Sequence, residues 1–423
     1  MIYRESNTKE NNAKGLGIRK KGQLQTEDLY EIVLQKLDMT REIEDEELLE
    51  IIKLTLDEVS SEAYISLSQK IRISKDLFNA FKKLDVLQEI LEDESITEIM
   101  INGTNNIYLE KEGRIIETDK RFVSIHKLED VIQQIVAGTN RYVNQASPIV
   151  DTRLKDGSRV NVVLKPVAVN GPIMTIRKFP FEKVTMDKLI DWGSINAEAA
   201  KLIETLVKAK YNIFVCGGTG SGKTTFLNAI SDYIPEDERV ITIEDNAELQ
   251  LRVSNLVQLE ARNANLEGEG AVAIRELIRA ALRQRPDRIL VGEVRGEETV
   301  DMISSAMLNG HNGSMSTGHA NSVTDMLYRL ETMMMMGIDL PLPAISRQIA
   351  SALDVIIHLG RLRDKSRKVL EIAEVLGYED GKIKTQTIYS FEEEGIKDEK
   401  INGTLVKREE LVFREKLLAA GYK

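Results

Sequence analysis

Eight consecutive residues, Gly217-Gly218-Thr219-Gly220-Ser221-Gly222-Lys223-Thr224, satisfy the pattern G-x-x-x-x-G-K-[ST] at every fixed position. The residue types suit one task, holding the phosphates of a nucleotide. Glycines let successive backbone N–H groups turn toward an anion, and a helix starting just beyond them adds the positive end of its dipole. Lys223 supplies a point charge for the β and γ phosphates. Thr224 offers a hydroxyl to the Mg²⁺ that accompanies a triphosphate. The context agrees: an apolar strand, Ile213-Phe214-Val215-Cys216, leads into the glycines, and Thr225-Phe226-Leu227-Asn228-Ala229-Ile230 continues as a helix. The expected nucleotide-contacting set therefore runs from Gly217 to Thr225.

Cleaving a triphosphate also needs carboxylates to orient metal and water, usually at the ends of neighbouring strands. Val240-Ile241-Thr242-Ile243 ends at Glu244-Asp245, and Ile289-Leu290-Val291 ends at Gly292-Glu293. Each is an apolar run delivering acid to the edge where open α/β sheets bind ligands. Arg295 follows Glu293 closely enough to pair with a neighbouring acid or to steer a subunit contact. His311 and His319 flank the small-residue strand Gly313–Gly318, and spacing alone leaves both undecided. Nothing in their surroundings suggests zinc, since no Cys or spaced carboxylate accompanies them. Arg153, Arg159 and Arg177 lie upstream. Surface solvation is their default, and they gain interest only if their domain faces a nucleotide.

The elements around these residues divide the chain. Residues 1–24 are polar and aperiodic and read as a flexible leader. Residues 25–83 carry apolar residues at helical spacing, as in Leu29, Ile32, Val33 and Leu37, and predict a three-helix bundle whose last helix starts at Ser74. Residues 84–179 switch to strand periodicity, with turns at Asn102-Gly103 and Glu112-Gly113 and one helix at Ser124 to Ala137, giving a compact α+β domain. Residues 180–193 read as a linker. Residues 194–378 alternate helix and strand, with strands at Asn212, Val240, Ile289, Gly313 and Val355, which predicts a parallel sheet covered on both faces. Residues 379–423 read as a charged, weakly patterned extension with a last helix near Lys407 to Ala420. The run Met333-Met334-Met335-Met336 reads as the end of a core helix stopped by Gly337, with an adaptable partner surface as the alternative.

Size and composition set limits. A chain of 423 residues exceeds what one growing core supports, and 42% apolar with 30% charged residues is ordinary for a folded domain set. The net charge of -11 opposes a nonspecific grip on nucleic acid, and no direct nucleic-acid contact is expected. The single cysteine, Cys216, rules out an internal disulfide and reads as a buried inert thiol in a cytoplasmic chain. No run reaches the roughly 18 apolar residues that cross a bilayer, so a membrane role would be peripheral.

In series, the phosphate loop, Ile243-Glu244-Asp245-Asn246-Ala247-Glu248-Leu249, Arg285-Pro286-Asp287-Arg288-Ile289-Leu290-Val291-Gly292-Glu293-Val294-Arg295-Gly296 and Gly318-His319-Ala320-Asn321-Ser322 resemble the secretion ATPases of the type II/type IV superfamily. Thr97–Gly103 and Asp156–Asn161 look like the CpaF-like branch that assembles tight-adherence (Tad/Flp) pili. The likeness spans about residues 84–376. It implies a RecA-like C-terminal domain, a PAS-like α+β domain before it, and ATP with Mg²⁺ as ligands. It makes Glu244 part of an acidic box orienting water and metal alongside Thr224, Glu293 the Walker B carboxylate, and His319 a γ-phosphate sensor. Arg159 and Arg177, with Arg153 behind them, match N-domain arginines that reach the phosphates when domains close. Such proteins are homo-hexamers at the inner face of the cell membrane, driving a membrane platform that extrudes pilin. A conjugative type IV export ATPase serving DNA or effector proteins is the alternative, and a nonhydrolytic nucleotide-gated scaffold is a third. Two positions depart from the pattern: Gly318 replaces an aliphatic residue before the histidine, and Asn246 replaces a small residue in the acidic box.

Overall fold

The computed structural model describes residues 26–38, 41, 43–62, 64–111, 113–139, 141–178, 183–262, 269–397 and 400–422. The leader expected over residues 1–24 lies outside them. The chain separates into two compact units, Met1–Phe181 and Glu182–Lys423, described in turn.

In the first unit, helices Thr26–Lys36, Asp45–Glu62 and Leu67–Lys82 pack around Leu29, Val33, Leu48, Ile52 and Leu77. The third helix begins seven residues earlier than Ser74, because Ser66 and Gln69 form a reciprocal capping box. Ser66 Oγ accepts the Gln69 N–H at 3.3 Å and Gln69 Oε1 accepts the Ser66 N–H at 3.0 Å, so two otherwise orphaned donors are satisfied there.

The short helix Leu87–Glu92 leads into six strands: β1 (Ile96–Asn102), β2 (Asn106–Lys111), β3 (Arg114–Glu117), β4 (Ile149–Arg153), β5 (Arg159–Val163) and β6 (Ile173–Arg177). They form an antiparallel sheet in the order β3-β2-β1-β6-β5-β4. Alternate residues, among them Ile99, Ile101, Val150, Val160, Val162, Met174 and Ile176, face a core shared with Leu128, Val131, Ile132 and Ile135 of helix Ile125–Ala137. Ser124 caps that helix by accepting the Lys127 N–H at 3.1 Å.

The second unit is built on a nine-stranded sheet: β7 (Ile213–Gly217), β8 (Arg239–Glu244), β9 (Asn255–Glu260), β10 (Arg288–Val291), β11 (Met315–Gly318), β12 (Val355–Arg361), β13 (Arg367–Glu379), β14 (Lys382–Lys397) and β15 (Lys400–Lys407). Its order is β15-β14-β13-β12-β7-β11-β10-β8-β9. From β12 to β9 the pairing is parallel, and consecutive residues of one strand enter opposite cores: Ile213 and Val215 one, Phe214 and Cys216 the other. That double burial explains why these strands are continuously apolar rather than alternating. Helices Ala197–Lys208 and Lys223–Ser231 contribute to the first core, and Ile274–Ala281, Val323–Gly337 and Leu342–Ala352 to the second. The mixed α/β architecture is the one expected.

Several elements differ from expectation. The stretch read as a linker holds the helix Met186–Asp191, started by Thr185 accepting the Lys188 N–H at 3.4 Å. The strand β9 was masked by its polar alternate residues at a sheet edge. Residues 379–423 are not weakly patterned: β14 and β15 extend the sheet as long antiparallel hairpins, and the last helix shortens to Glu415–Ala419. Charged residues fill the solvent-facing positions of those strands and hide their period. In the methionine run, Met333 and Met334 are buried while Met335 and Met336 are exposed. Among the described residues no helix is long and apolar enough to cross a membrane.

Candidate functional site

β7 delivers the phosphate loop at the C-terminal edge of the sheet. Gly217 pairs with Leu359 of β12, and a Cβ on Gly217 would lie 2.4 Å from the Leu359 carbonyl oxygen, so only glycine fits. Gly222 takes φ of 92°, the left-handed turn that starts helix Lys223–Ser231 without a side-chain cap. The first N–H groups of that helix thus point into the loop, where an anion would complete them. Thr219, Gly220 and Thr225 are exposed and Gly218 and Thr224 half-buried, as a surface receiving a ligand requires. The Ser221 hydroxyl is buried within the loop and has no hydrogen-bond partner among the described residues.

Lys223 is 8% exposed, and its ammonium donates to the carbonyls of Gly217 at 3.1 Å and Gly218 at 3.2 Å. The same Nζ lies 3.2 Å from His319 Nδ1, one residue past the end of β11. On the far side of the ring, Nε2 lies 2.8 Å from Glu293 Oε1, two residues past the end of β10. An ammonium has no lone pair to share, so Nδ1 accepts and the ring proton sits on Nε2. Glu293 Oε1 is buried and close to Nε2, but the angle is not that of a hydrogen bond, and it has no hydrogen-bond partner among the described residues. Burial, then the nearby Lys223 and Arg295 charges, push the His319 pKa below its ordinary value, and Glu293 opposes them.

Two hydrogen bonds align the strand ends that carry Glu293 and His319. Thr317 Oγ1 donates to the Gly292 carbonyl at 2.8 Å, and the Val294 N–H donates to the Thr317 carbonyl at 3.0 Å. Arg295 Nη2 donates to Glu293 Oε2 at 2.6 Å while its Nη1 lies 3.6 Å from Asp245 Oδ2, so this arginine pairs with both acidic segments. Glu244 is 3% exposed and turns to the backbone, accepting the N–H groups of Glu248 at 3.0 Å and Leu249 at 3.2 Å. Gly292 leaves room for it, since a Cβ there would fall 2.8 Å from Glu244 Cγ.

The two departures from the family pattern have different standing. A Cβ at Gly318 would lie 2.9 Å from Met326 Cε and 3.0 Å from a Phe214 ring carbon, so those larger neighbours take the space an aliphatic residue would need. Asn246 is half-buried, and no comparable packing reason attaches to it among the described residues. Cys216 is fully buried and burial pushes its thiol up to about 12, which makes it inert at neutral pH. His311 stands apart from the loop, its Nδ1 3.0 Å from the Pro286 carbonyl oxygen.

In the other unit, strand register assembles what sequence had kept separate. Arg153 of β4 pairs with Arg159 of β5, which pairs with Arg177 of β6, so three arginines form one cross-strand row. Their neighbours in sequence, Thr152, Val160 and Ile176, are buried, which places the arginines on the face away from the core. Like charges directly opposite one another are unfavourable in a sheet.

Two further basic residues went unnoticed in the sequence. Arg361 ends β12 and Arg367 begins β13, and Arg367 Nε donates to the Gly220 carbonyl at 2.9 Å. The available signal was Arg361-Leu362-Arg363-Asp364-Lys365-Ser366-Arg367, a basic turn directly after an apolar strand.

The family model for type II/IV secretion system proteins matches residues 81–413, and the chain belongs to that family. A Mycobacterium tuberculosis protein whose name assigns it to conjugal transfer is 35% identical over 310 residues, covering 72% of this chain and 87% of its own length. The type IV secretion system protein PtlH of Bordetella pertussis is 31% identical over 325 residues, covering 70% and 94%. Among solved structures, the ATPase DotB of Yersinia pseudotuberculosis superposes with a TM-score of 0.51 at 18% identity, covering 70% of this chain and 79% of that one, a likeness of fold.

Proposed function

We propose that the chain is a Mg²⁺-dependent ATPase of a secretion or pilus machine, working as a homo-hexamer at the cytoplasmic face of the inner membrane. The observation that carries this reading is the continuous contact from Lys223 through His319 to Glu293, which ties the phosphate loop to the strand-end carboxylate. In this arrangement Lys223 donates to two loop carbonyls and a ring nitrogen, each a weaker partner than a phosphate oxygen. An arriving γ-phosphate draws Lys223 and His319 toward itself. Glu293 Oε1, buried and without a hydrogen-bond partner among the described residues, then polarises the attacking water while Arg295 keeps Oε2 in place.

The residues that would hold the metal are Thr224, in the first turn of the helix that follows the loop, and Glu244, whose carboxylate here accepts backbone N–H groups. Bound there, Mg²⁺ would neutralise charge building between the β and γ phosphates. Arg159 and Arg177, with Arg153 beside them, would stabilise the transition state from the N-terminal unit in the manner of an arginine finger. Domain closure would couple hydrolysis to motion of a membrane platform that extrudes pilin, with peripheral membrane association and no direct nucleic-acid contact.

Two destinations for that work remain, pilin assembly of the Tad/Flp type and type IV export of DNA or effector proteins. The N-terminal segments Thr97–Gly103 and Asp156–Asn161 favour the first, and the names of the M. tuberculosis and B. pertussis relatives favour the second. Pilin and platform proteins co-purifying with an ATP-locked Glu293→Gln chain would select the first, and a relaxase or coupling protein the second. The enzymatic core of the proposal is tested by colorimetric phosphate release from Mg·ATP. Wild type should turn over and Lys223→Ala should neither bind nor turn over; a wild-type chain that binds ATP yet releases no phosphate above background would instead be a nucleotide-gated scaffold.

A further inference from the structure

The phosphate loop has two flanks in the sheet. β11 and β10 bring His319 and Glu293 to one side, and β12 with β13 bring Arg361 and Arg367 to the other. Arg367 Nε donates to the Gly220 carbonyl, and its Cδ lies 3.4 Å from the position a Gly222 side chain would take. Arg361 Nη1 lies 3.6 Å from the corresponding position at Gly220. Both arginines therefore reach the loop at Gly220, Arg367 by a hydrogen bond to its carbonyl and Arg361 by close approach.

They are also register partners, Arg361 directly opposite Arg367 across β12 and β13. Like charges directly opposite one another do not themselves favour the pairing. The hairpin is nonetheless firmly held. Asp364 Oδ1 accepts the Ser366 N–H at 3.0 Å and its hydroxyl at 2.7 Å, while Oδ2 accepts the Ile401 N–H of β15 at 2.7 Å. Arg363 adds a two-pronged pair with Glu393 of β14. The C-terminal strands thus brace a rigid turn that presents two cations at the edge of the phosphate loop.

We propose that Arg361 and Arg367 form a second cationic wall of the nucleotide site, binding the α and β phosphates that stay with the nucleoside after cleavage. The proposal rests on the nucleotide reading above and assigns the two flanks different duties. The His319–Glu293 side meets the transferred phosphate, and the arginine side holds the diphosphate remainder. A cation pair there acts on ADP and ATP alike, so it sets affinity and product retention rather than the chemical step.

The test is calorimetric titration of the full-length chain with Mg·ADP and Mg·ATP. The double variant Arg361→Gln/Arg367→Gln should lose about tenfold or more in affinity for both nucleotides, a loss in the range of two charge-assisted contacts. Its affinity should also depend less on salt than that of wild type, because two screened charges have been removed. Arg361→Lys/Arg367→Lys, which keeps the charges, should recover part of the affinity. Wild-type binding with an unchanged ADP affinity in the glutamine variant overturns the proposal while leaving the ATPase reading intact. So does a loss confined to ATP, or a loss with unaltered salt dependence, which would mean that Arg367 only props the loop. Failure of wild type to bind either nucleotide defeats both readings at once.

Discussion

His319 Nδ1 stands 3.2 Å from Lys223 Nζ, so a histidine at the end of one strand shares its lone pair with the ammonium at the start of a helix 96 residues earlier. The contact fixes the tautomer and leaves Nε2 on the side of the ring nearest Glu293. It is an arrangement that a phosphate would disturb at both ends.

The titration of His319 gives the first prediction. Its pKa lies below the ordinary 6.5 because the ring is part-buried and faces cations, so its stabilising contribution is complete above that value and is lost as pH falls through the lowered pKa. Lys223→Ala removes an opposing charge and should raise the pKa. Glu293→Gln removes the supporting charge and should lower it further. With only four histidines in the chain, proton NMR can follow the ring directly, and shifts of the same sign in both variants would contradict the assigned contacts.

Glu293→Gln should keep ATP affinity within a few-fold and lower kcat by about a hundredfold or more, the usual scale for losing a positioned base. Single-turnover phosphate release set beside ATP titration separates the two effects. Unchanged turnover would remove Glu293 from the chemistry.

The arginine row makes a separate claim. Arg159→Ala and Arg177→Ala should lower kcat by about a thousandfold with little change in the affinity for ATP, because the stabilised charge develops only in the transition state. Equal losses in binding and turnover would mark these arginines as ground-state contacts.

Gly318→Val tests packing rather than chemistry. The added methyls would press on Met326 and the Phe214 ring, and overpacking of this kind costs about 1–3 kcal/mol. Denaturant unfolding of the wild-type and variant chains should show that difference, and an unchanged midpoint would mean that Met326 moves aside freely.

What the sequence by itself determined is local. The phosphate-loop pattern, the strand before it and the position of Glu244 and Glu293 at or just past strand ends are legible because each lies in a run of consecutive residues. The doubly buried strands β7, β8 and β10 were legible for a similar reason, as continuous apolar stretches between turn residues. Tertiary structure decided the rest. Sheet order places β7 between β12 and β11, strands more than a hundred residues away in the chain, and so brings His319 to one side of the loop and Arg361 to the other. Register, a property of paired strands that no single segment carries, lined up Arg153, Arg159 and Arg177 and set Arg361 opposite Arg367. β14 and β15 stayed hidden because a strand with charged side chains on its open face looks like a solvated loop until a partner strand satisfies its backbone.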